Sequence, residues 1–94
     1  MADEDVLGFL TVLGSEFCHV LRTEAGIPDA SRHDCYSALT DALGEPVTID
    51  VLRSLKPEQF VGLATALNRY FETTTITPAH VATAVSGTIW CWTS

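Results

Sequence analysis

The sequence predicts an all-α protein, a small bundle of four to five short helices with a flexible C-terminal tail. Apolar residues recur at steps of three and four along most of the first 72 residues, which is the period of a helix packed on one side. Glycine, proline and capping residues separate these segments. The tail is predicted from charge, because all 12 acidic and all 5 basic residues lie before Thr73.

The first two helices have clear limits in the sequence. Apolar positions predict a helix over residues 4–24, and Gly26 ends it because glycine favours the chain reversal after a helix. A second helix is predicted over residues 30–43. Either Asp29 or Ser31 is suited to cap its N-terminus, since both side chains accept hydrogen bonds from unpaired backbone N–H groups.

Residues 47–55 are compatible with two structures, whereas residues 57–71 are compatible with only one. Residues 47–55 begin with β-branched side chains that suit a short strand, but their later apolar spacing suits a short helix capped by Thr48. Residues 57–71 predict a strongly amphipathic helix, with Pro57 at the first helical position, where proline is favoured.

Composition argues against several classes of partner. The formal net charge is −7, so the chain lacks the basic surface that nucleic acids and anionic membranes require. The N-terminal sequence MADEDVLGFL is acidic, unlike the start of a secretory signal. Three cysteines without framework spacing predict reduced thiols. These features predict a cytoplasmic protein that binds neither nucleic acid nor membrane.

No motif of common enzyme chemistry is present. The histidines and cysteines lack the spacing of a zinc site. Cys35 and His33 are two residues apart on a predicted helix, so they face different directions and do not form a nucleophile–base pair. The sequence has no phosphate-binding glycine loop and no HExxH motif. We therefore expect no enzyme activity, no cofactor and no metal site.

Residues 73–94 have a composition unlike the rest of the chain. They hold seven threonines and two serines, together with Trp90, Cys91 and Trp92, and no charge. One interpretation is a fifth helix that begins with Thr77 as N-cap and Pro78 as first residue, and that turns Val81 and Val85 toward the bundle. This accounts for residues 76–85. The exposed aromatic end, where solubility favours charge, indicates a purpose other than folding.

Three pieces of this tail, TTTITP, HVATAVSG and TIWC, carry a resemblance to a class of peptide precursors. The chain resembles linaridin and lanthipeptide precursors, which are ribosomally made peptides that enzymes modify after translation. The resemblance implies a leader over residues 1–72 and a modified core over residues 73–94. It further implies a dehydratase or cyclase and a leader protease as partners, and a mature peptide that is a candidate for secretion.

In that function, hydroxyl side chains lose water to become alkenes and a thiol adds to one of them. Cys91 would be the thiol donor, and its thiolate would be the nucleophile. The dehydration candidates are Thr73, Thr74, Thr75, Thr77, Thr83, Ser86 and Thr88. The leader would hold the tail at the enzyme and so raise its effective concentration there. The candidate recognition residues are Leu52, Leu55, Phe60 and Leu63.

Other interpretations of the chain remain open at this stage. A borosin-like precursor would have a helical leader that recruits a methyltransferase, and its tail backbone would be N-methylated. A third modification is crosslinking across residues 90–92. The main alternative to a precursor is a small acidic helical interaction module with the tail packed as a fifth helix. A helix-turn-helix drawn over residues 57–85 is opposed by the negative charge.

Overall fold

Five α-helices and no strand occur in residues 2–93, the part of the chain that the computed structural model describes, with side chains described for residues 8–92. The fold class predicted from the sequence is therefore confirmed as all-α. The helices are α1 (Ala2–Thr23), α2 (Arg32–Leu43), α3 (Ile49–Arg53), α4 (Pro57–Tyr70) and α5 (Pro78–Thr93).

Hydroxyl side chains cap the starts of α2 and α3. The Ser31 Oγ accepts a hydrogen bond from the backbone N–H of Asp34 at 3.1 Å. The Thr48 Oγ1 accepts one from the N–H of Val51 at 3.2 Å. Each cap satisfies an N–H group that has no partner inside its helix. Of the alternatives, Ser31 rather than Asp29 caps α2, and residues 49–53 form a helix rather than a strand.

Two glycines follow the ends of helices in the left-handed conformation. Gly26 has φ 70° after α1, and Gly44 has φ 72° after α2. The N–H of Gly44 donates to the carbonyl of Thr40 at 2.8 Å, which closes the last turn of α2. Glycine reaches this conformation without a steric penalty, so these positions turn the chain back toward the bundle.

The core lies between α1 and the helices that cover it. α1 makes its most extensive contacts with α5 and with α2, and α4 packs against both α2 and α5. The largest core side chains have at most 1% of their surface exposed, and they are Leu13, Phe17, Leu21, Leu39, Leu67 and Val81. These residues come from α1, α2, α4 and α5, so a single core joins the early and late parts of the chain.

The connection between α4 and α5 is held by a side chain of α4. The Asn68 amide accepts a hydrogen bond from the N–H of Ile76 at 2.9 Å and donates one to the carbonyl of Ile76 at 2.8 Å. The Thr75 hydroxyl donates to the carbonyl of Ala25 at 2.7 Å. Ile76 itself is buried. This connection is thus tied at one point to α4 and at another to the loop after α1.

Of the two arrangements left open for the tail, its described part has a packed fifth helix over Pro78–Thr93 rather than a flexible tail. α5 begins at Pro78, after Thr77, whose Oγ1 accepts a hydrogen bond from the N–H of His80 at 3.2 Å. The predicted contacts of Val81 and Val85 with the bundle are confirmed, since both are buried in the core. Among residues 2–93, no helix combines the length and the apolar character that a bilayer crossing needs.

Candidate functional site

The solvent side of α5 is a helix face without charge. We define the α5 outer face as Ala79, Thr83, Ser86 and Trp90, which follow one another at steps of four, three and four residues and are all exposed. Residues at these steps lie on one side of a helix. Trp90 ends the face and has 75% of its surface exposed. The face is uncharged, extends over about three turns of the helix and is aromatic at one end.

The opposite side of α5 is part of the core. Val81, Ala84, Val85 and Thr88 are buried, again at steps of three and four residues. Thr88 is a polar residue with 0% exposure, and its hydroxyl donates to the carbonyl of Ala84 at 2.8 Å. This bond within the helix satisfies the hydroxyl, so the side chain can be buried without an unpaired polar atom.

The two tryptophans of the last turn have different environments. Trp92 is half-buried and contacts the ring of Phe9 edge-on, with ring centroids 5.5 Å apart and ring planes at 78°. It also borders a shallow apolar groove of about 390 Å³, which Tyr36, Val47 and Ile49 line as well. Trp92 therefore attaches the end of α5 to α1, whereas Trp90 lies on the outer face.

The hydroxyl residues singled out from the sequence fall into three environments. Thr83 and Ser86 are exposed on the α5 outer face, and Thr74 is exposed in the connection that precedes the helix. The hydroxyls of Thr73, Thr75 and Thr77 all make hydrogen bonds in that connection or at the helix start. Thr88 is buried. The structure therefore does not bring the dehydration candidates together in one accessible place.

The proposed thiol donor and the leader candidates also differ in exposure. Cys91 is exposed, next to Trp90 in the last turn of α5. Leu52 and Leu63 each have 3% exposure and belong to the core, whereas Leu55 and Phe60 are partly buried at its edge. Of the four candidate recognition residues, Leu55 and Phe60 therefore offer a partner the larger exposed surface.

No cluster of metal ligands is found in the described part of the chain. Cys18 and Cys35 are buried, while His19 and His33 are exposed. No group of three or more histidine, cysteine or acidic side chains among the described residues is close enough to hold a metal ion. Burial raises the pKa of the Cys35 thiol well above its ordinary value, and the neighbouring Cys18 thiol adds to that effect. Cys35 is thus a protonated core residue near neutral pH.

The α5 outer face was not identified from the sequence as a surface. The sequence nevertheless contains the pattern that defines it. When the helical period is applied from Pro78 onward, residues 79, 83, 86 and 90 fall on the side opposite the buried positions. Comparison of the chain with protein-family models, with curated proteins and with solved structures found no match.

Proposed function

We propose that this chain is a small protein-interaction module and that another protein covers the α5 outer face. The observation that supports this is the absence of charge on an exposed helix face that ends in Trp90, with 75% of that side chain exposed. Solvent-facing helix surfaces normally carry charged residues, and exposed tryptophan is a residue type that anchors protein interfaces. The proposal gives the chain no catalytic role.

The chemistry of the face and of its surroundings indicates the kind of partner. Ala79, Thr83 and Ser86 are small, so they let a second helix or strand approach closely, while Trp90 supplies the large apolar contact. The Glu16 carboxylate of α1 lies against the backbone of Gly87, beside this face. With a net charge of −7 around it, the face suits a partner that has an apolar strip flanked by lysine or arginine.

The proposal is tested by photo-crosslinking from within the face, with the full chain expressed in its native host. A photoreactive residue replaces Ser86 in one variant and Thr65, an exposed threonine of α4, in another. We expect one defined crosslinked product from position 86 and none from position 65. Equal capture from both positions, or none from either, would contradict the proposal.

The affinity for that crosslinked partner is then compared between two variants. Trp90→Ala is expected to weaken binding by at least tenfold, as loss of an aromatic anchor at an interface typically costs about 2 kcal/mol. The matched control is Val61→Ala on α4, because Val61 is another large apolar side chain with 54% exposure. Val61→Ala should leave the affinity unchanged, and an equal loss in both variants would argue against the α5 outer face.

A second candidate function is the modified peptide precursor. The observation that favours it is the exposure of Thr83, Ser86 and Cys91 on one uncharged helix, because two hydroxyls and a thiol are then accessible to a modifying enzyme. Ser86 precedes Cys91 by five residues, a spacing that closes a small thioether ring. The leader would bind the dehydratase, cyclase or methyltransferase, and a protease would later release the tail.

This second function requires α5 to leave the bundle. Thr88 has 0% exposure and its hydroxyl is bonded to Ala84, so no enzyme reaches it while α5 is packed. Local unfolding of α5 would have to precede its modification. If the chain is a precursor, we therefore expect Thr83 and Ser86 to react before Thr88.

An intact mass of the protein from its native host, with fragmentation of residues 73–94, separates the two functions. Loss of one water for each modified threonine or serine, located in this segment, would support the precursor. Gain of methylene units would support backbone methylation by a borosin-like route. An unmodified mass, together with resistance to protease after Glu72, would leave the interaction module.

A further inference from the structure

Basic side chains line a cleft between α1 and α2, although the overall charge of the protein is negative. It has a volume of about 490 Å³, and its lining includes Arg22 and Arg32, two of the chain's five basic residues, together with His19. No acidic side chain lines it, and neither does any residue of α5. A volume of this size lies in the range of roughly 300–1,000 Å³ that is typical of small-ligand sites.

A hydrogen bond positions the first arginine. The Arg22 Nε donates to the carbonyl of Ala30 at 2.9 Å, which joins the end of α1 to the residue before the cap of α2. Ala30 is fully buried, so the position of its carbonyl group is fixed. The bond uses one of the five N–H donors of the guanidinium, and the terminal nitrogens keep the other four.

A glycine positions the second arginine. A Cβ atom placed on Gly14 would lie 2.6 Å from the Cβ and 3.1 Å from the Cα of Arg32, so only glycine allows this approach. The Arg32 side chain therefore starts in direct contact with the backbone of α1. Both side chains thus begin at packed parts of the fold, and the bond to Ala30 also holds the Arg22 guanidinium, which lowers the entropy that this group loses when a ligand binds.

Hydroxyl groups and a helix start complete the lining. Ser15, Thr23 and Ser31 line the same cleft. The Ser31 oxygen accepts the capping bond from Asp34, and its own O–H remains a donor. Arg32 is the first residue of α2, a helix of 12 residues, and the N-terminal end of a helix carries partial positive charge.

We propose that this cleft binds a phosphoryl group, either as free phosphate or as a phosphomonoester. Two guanidinium groups match the several oxygens and the double charge of a phosphate better than the single charge of a carboxylate. Serine and threonine hydroxyls add donors for the remaining oxygens. No carboxylate is among the residues that line the cleft, and salt screens exposed charges beyond about 8 Å at physiological ionic strength.

The test is a titration of the full, ¹⁵N-labelled chain with inorganic phosphate at constant ionic strength, with chloride as the balancing anion. We expect saturable shifts of amide signals in residues 15–23 and 31–34. Arg32→Gln keeps the stem that contacts Gly14 and should raise the Kd about tenfold, as expected for loss of one charged hydrogen-bonding group. Arg53→Gln on α3 removes the same charge outside the cleft and should leave the Kd unchanged.

Arg22→Gln also removes the bond to Ala30, so its folding is checked by thermal unfolding before the titration. A parallel titration with O-phosphoserine distinguishes the two sources, because the tighter ligand of the two identifies free phosphate or a phosphomonoester. Acetate that binds as tightly as phosphate, shifts outside the cleft, or equal Kd values for Arg32→Gln and Arg53→Gln would each overturn the proposal. Trp90→Ala should bind phosphate normally, so failure of this site and failure of the α5 outer face are separate results.

Discussion

α4 and α5 each pack one side against the bundle but differ in the chemistry of the side that they expose to solvent. Each helix buries apolar residues four positions apart, Leu63 and Leu67 from α4, and Val81 and Val85 from α5. The exposed side of α4 carries charges such as those of Glu58 and Arg69, whereas α5 has none. Burial follows the helical period in both, and only the outer chemistry changes at Glu72.

The boundary in composition at Glu72 is therefore not a boundary in packing. The core continues across Glu72, because α5 supplies some of its most deeply buried side chains. A division at this point therefore describes surface chemistry and, in a precursor, processing. The division into residues 1–72 and 73–94 stays a prediction about such processing.

A charge on the buried side of α5 should destabilise the protein far more than the same charge on its exposed side. Val81→Asp buries a carboxylate at a position with 1% exposure, and we expect a loss of about 4 kcal/mol or more in the free energy of unfolding. Thr83→Asp adds the same charge to the outer face and should change it by no more than about 0.5 kcal/mol. Urea denaturation followed by circular dichroism measures both. Equal, small effects would show that α5 does not pack in solution.

A smaller effect is expected where α4 and α5 are joined. Asn68→Ala removes both bonds to the backbone of Ile76 and leaves that buried segment without its partners. We expect a loss of about 1–3 kcal/mol in the free energy of unfolding and faster protease cleavage between Phe71 and Thr77. Thr65→Ala on the exposed side of α4 is the control. Unchanged cleavage in Asn68→Ala would mean that the connection is held by other contacts.

The buried thiol of Cys35 should make the stability of the protein depend on pH. Because burial raises the pKa of Cys35 above its ordinary value of 9.0, the unfolded thiol loses its proton at a lower pH than the folded one. The contribution of the Cys35 thiol to the free energy of unfolding is fully present below pH 9. Above pH 9 it falls by about 1.4 kcal/mol per pH unit. Urea denaturation at several pH values should show this slope in the native sequence and a shallower one in Cys35→Ala.

Below pH 9, the thiols of Cys35 and Cys91 should differ in their reactivity. Cys91 is exposed and should react with a thiol reagent at once at pH 8, whereas Cys35 should react only as the protein opens. The reaction rate of each cysteine, located by peptide mapping, measures this. Simultaneous modification of Cys35 and Cys91 in the folded protein would contradict the burial of Cys35.

Local features of the sequence were sufficient to predict the helices. Periodicity located α1, α2 and α4 to within a few residues, and capping side chains such as Thr48 and Thr77 located two helix starts. These signals lie within a few residues of one another, so they need no knowledge of the tertiary fold. The buried positions Val81 and Val85 followed from the same period.

Features that depend on distant parts of the chain were not predictable in this way. The hydroxyl of Thr75 bonds to Ala25, which lies 50 residues away, and nothing in the local sequence indicates that pair. Thr88 was a dehydration candidate because threonine is polar, but a bond within its own helix lets it lie in the core. The cleft with Arg22 and Arg32 exists only because α1 and α2 pack together.

The smallest expected effects come from one glycine in the middle of each of the two compared helices. A Cβ at Gly62 of α4 would meet no atom within 4 Å, so Gly62→Ala should stabilise the protein by about 0.5–1 kcal/mol through helix propensity. A Cβ at Gly87 of α5 would collide with the carboxylate of Glu16, which would have to move. Thermal unfolding of the two variants should therefore show a gain for Gly62→Ala and a smaller gain, or none, for Gly87→Ala. The double variant Gly87→Ala with Glu16→Ala removes the collision and should recover part of the difference, since the neighbouring helix, and not α5 itself, then opposes a side chain at that position.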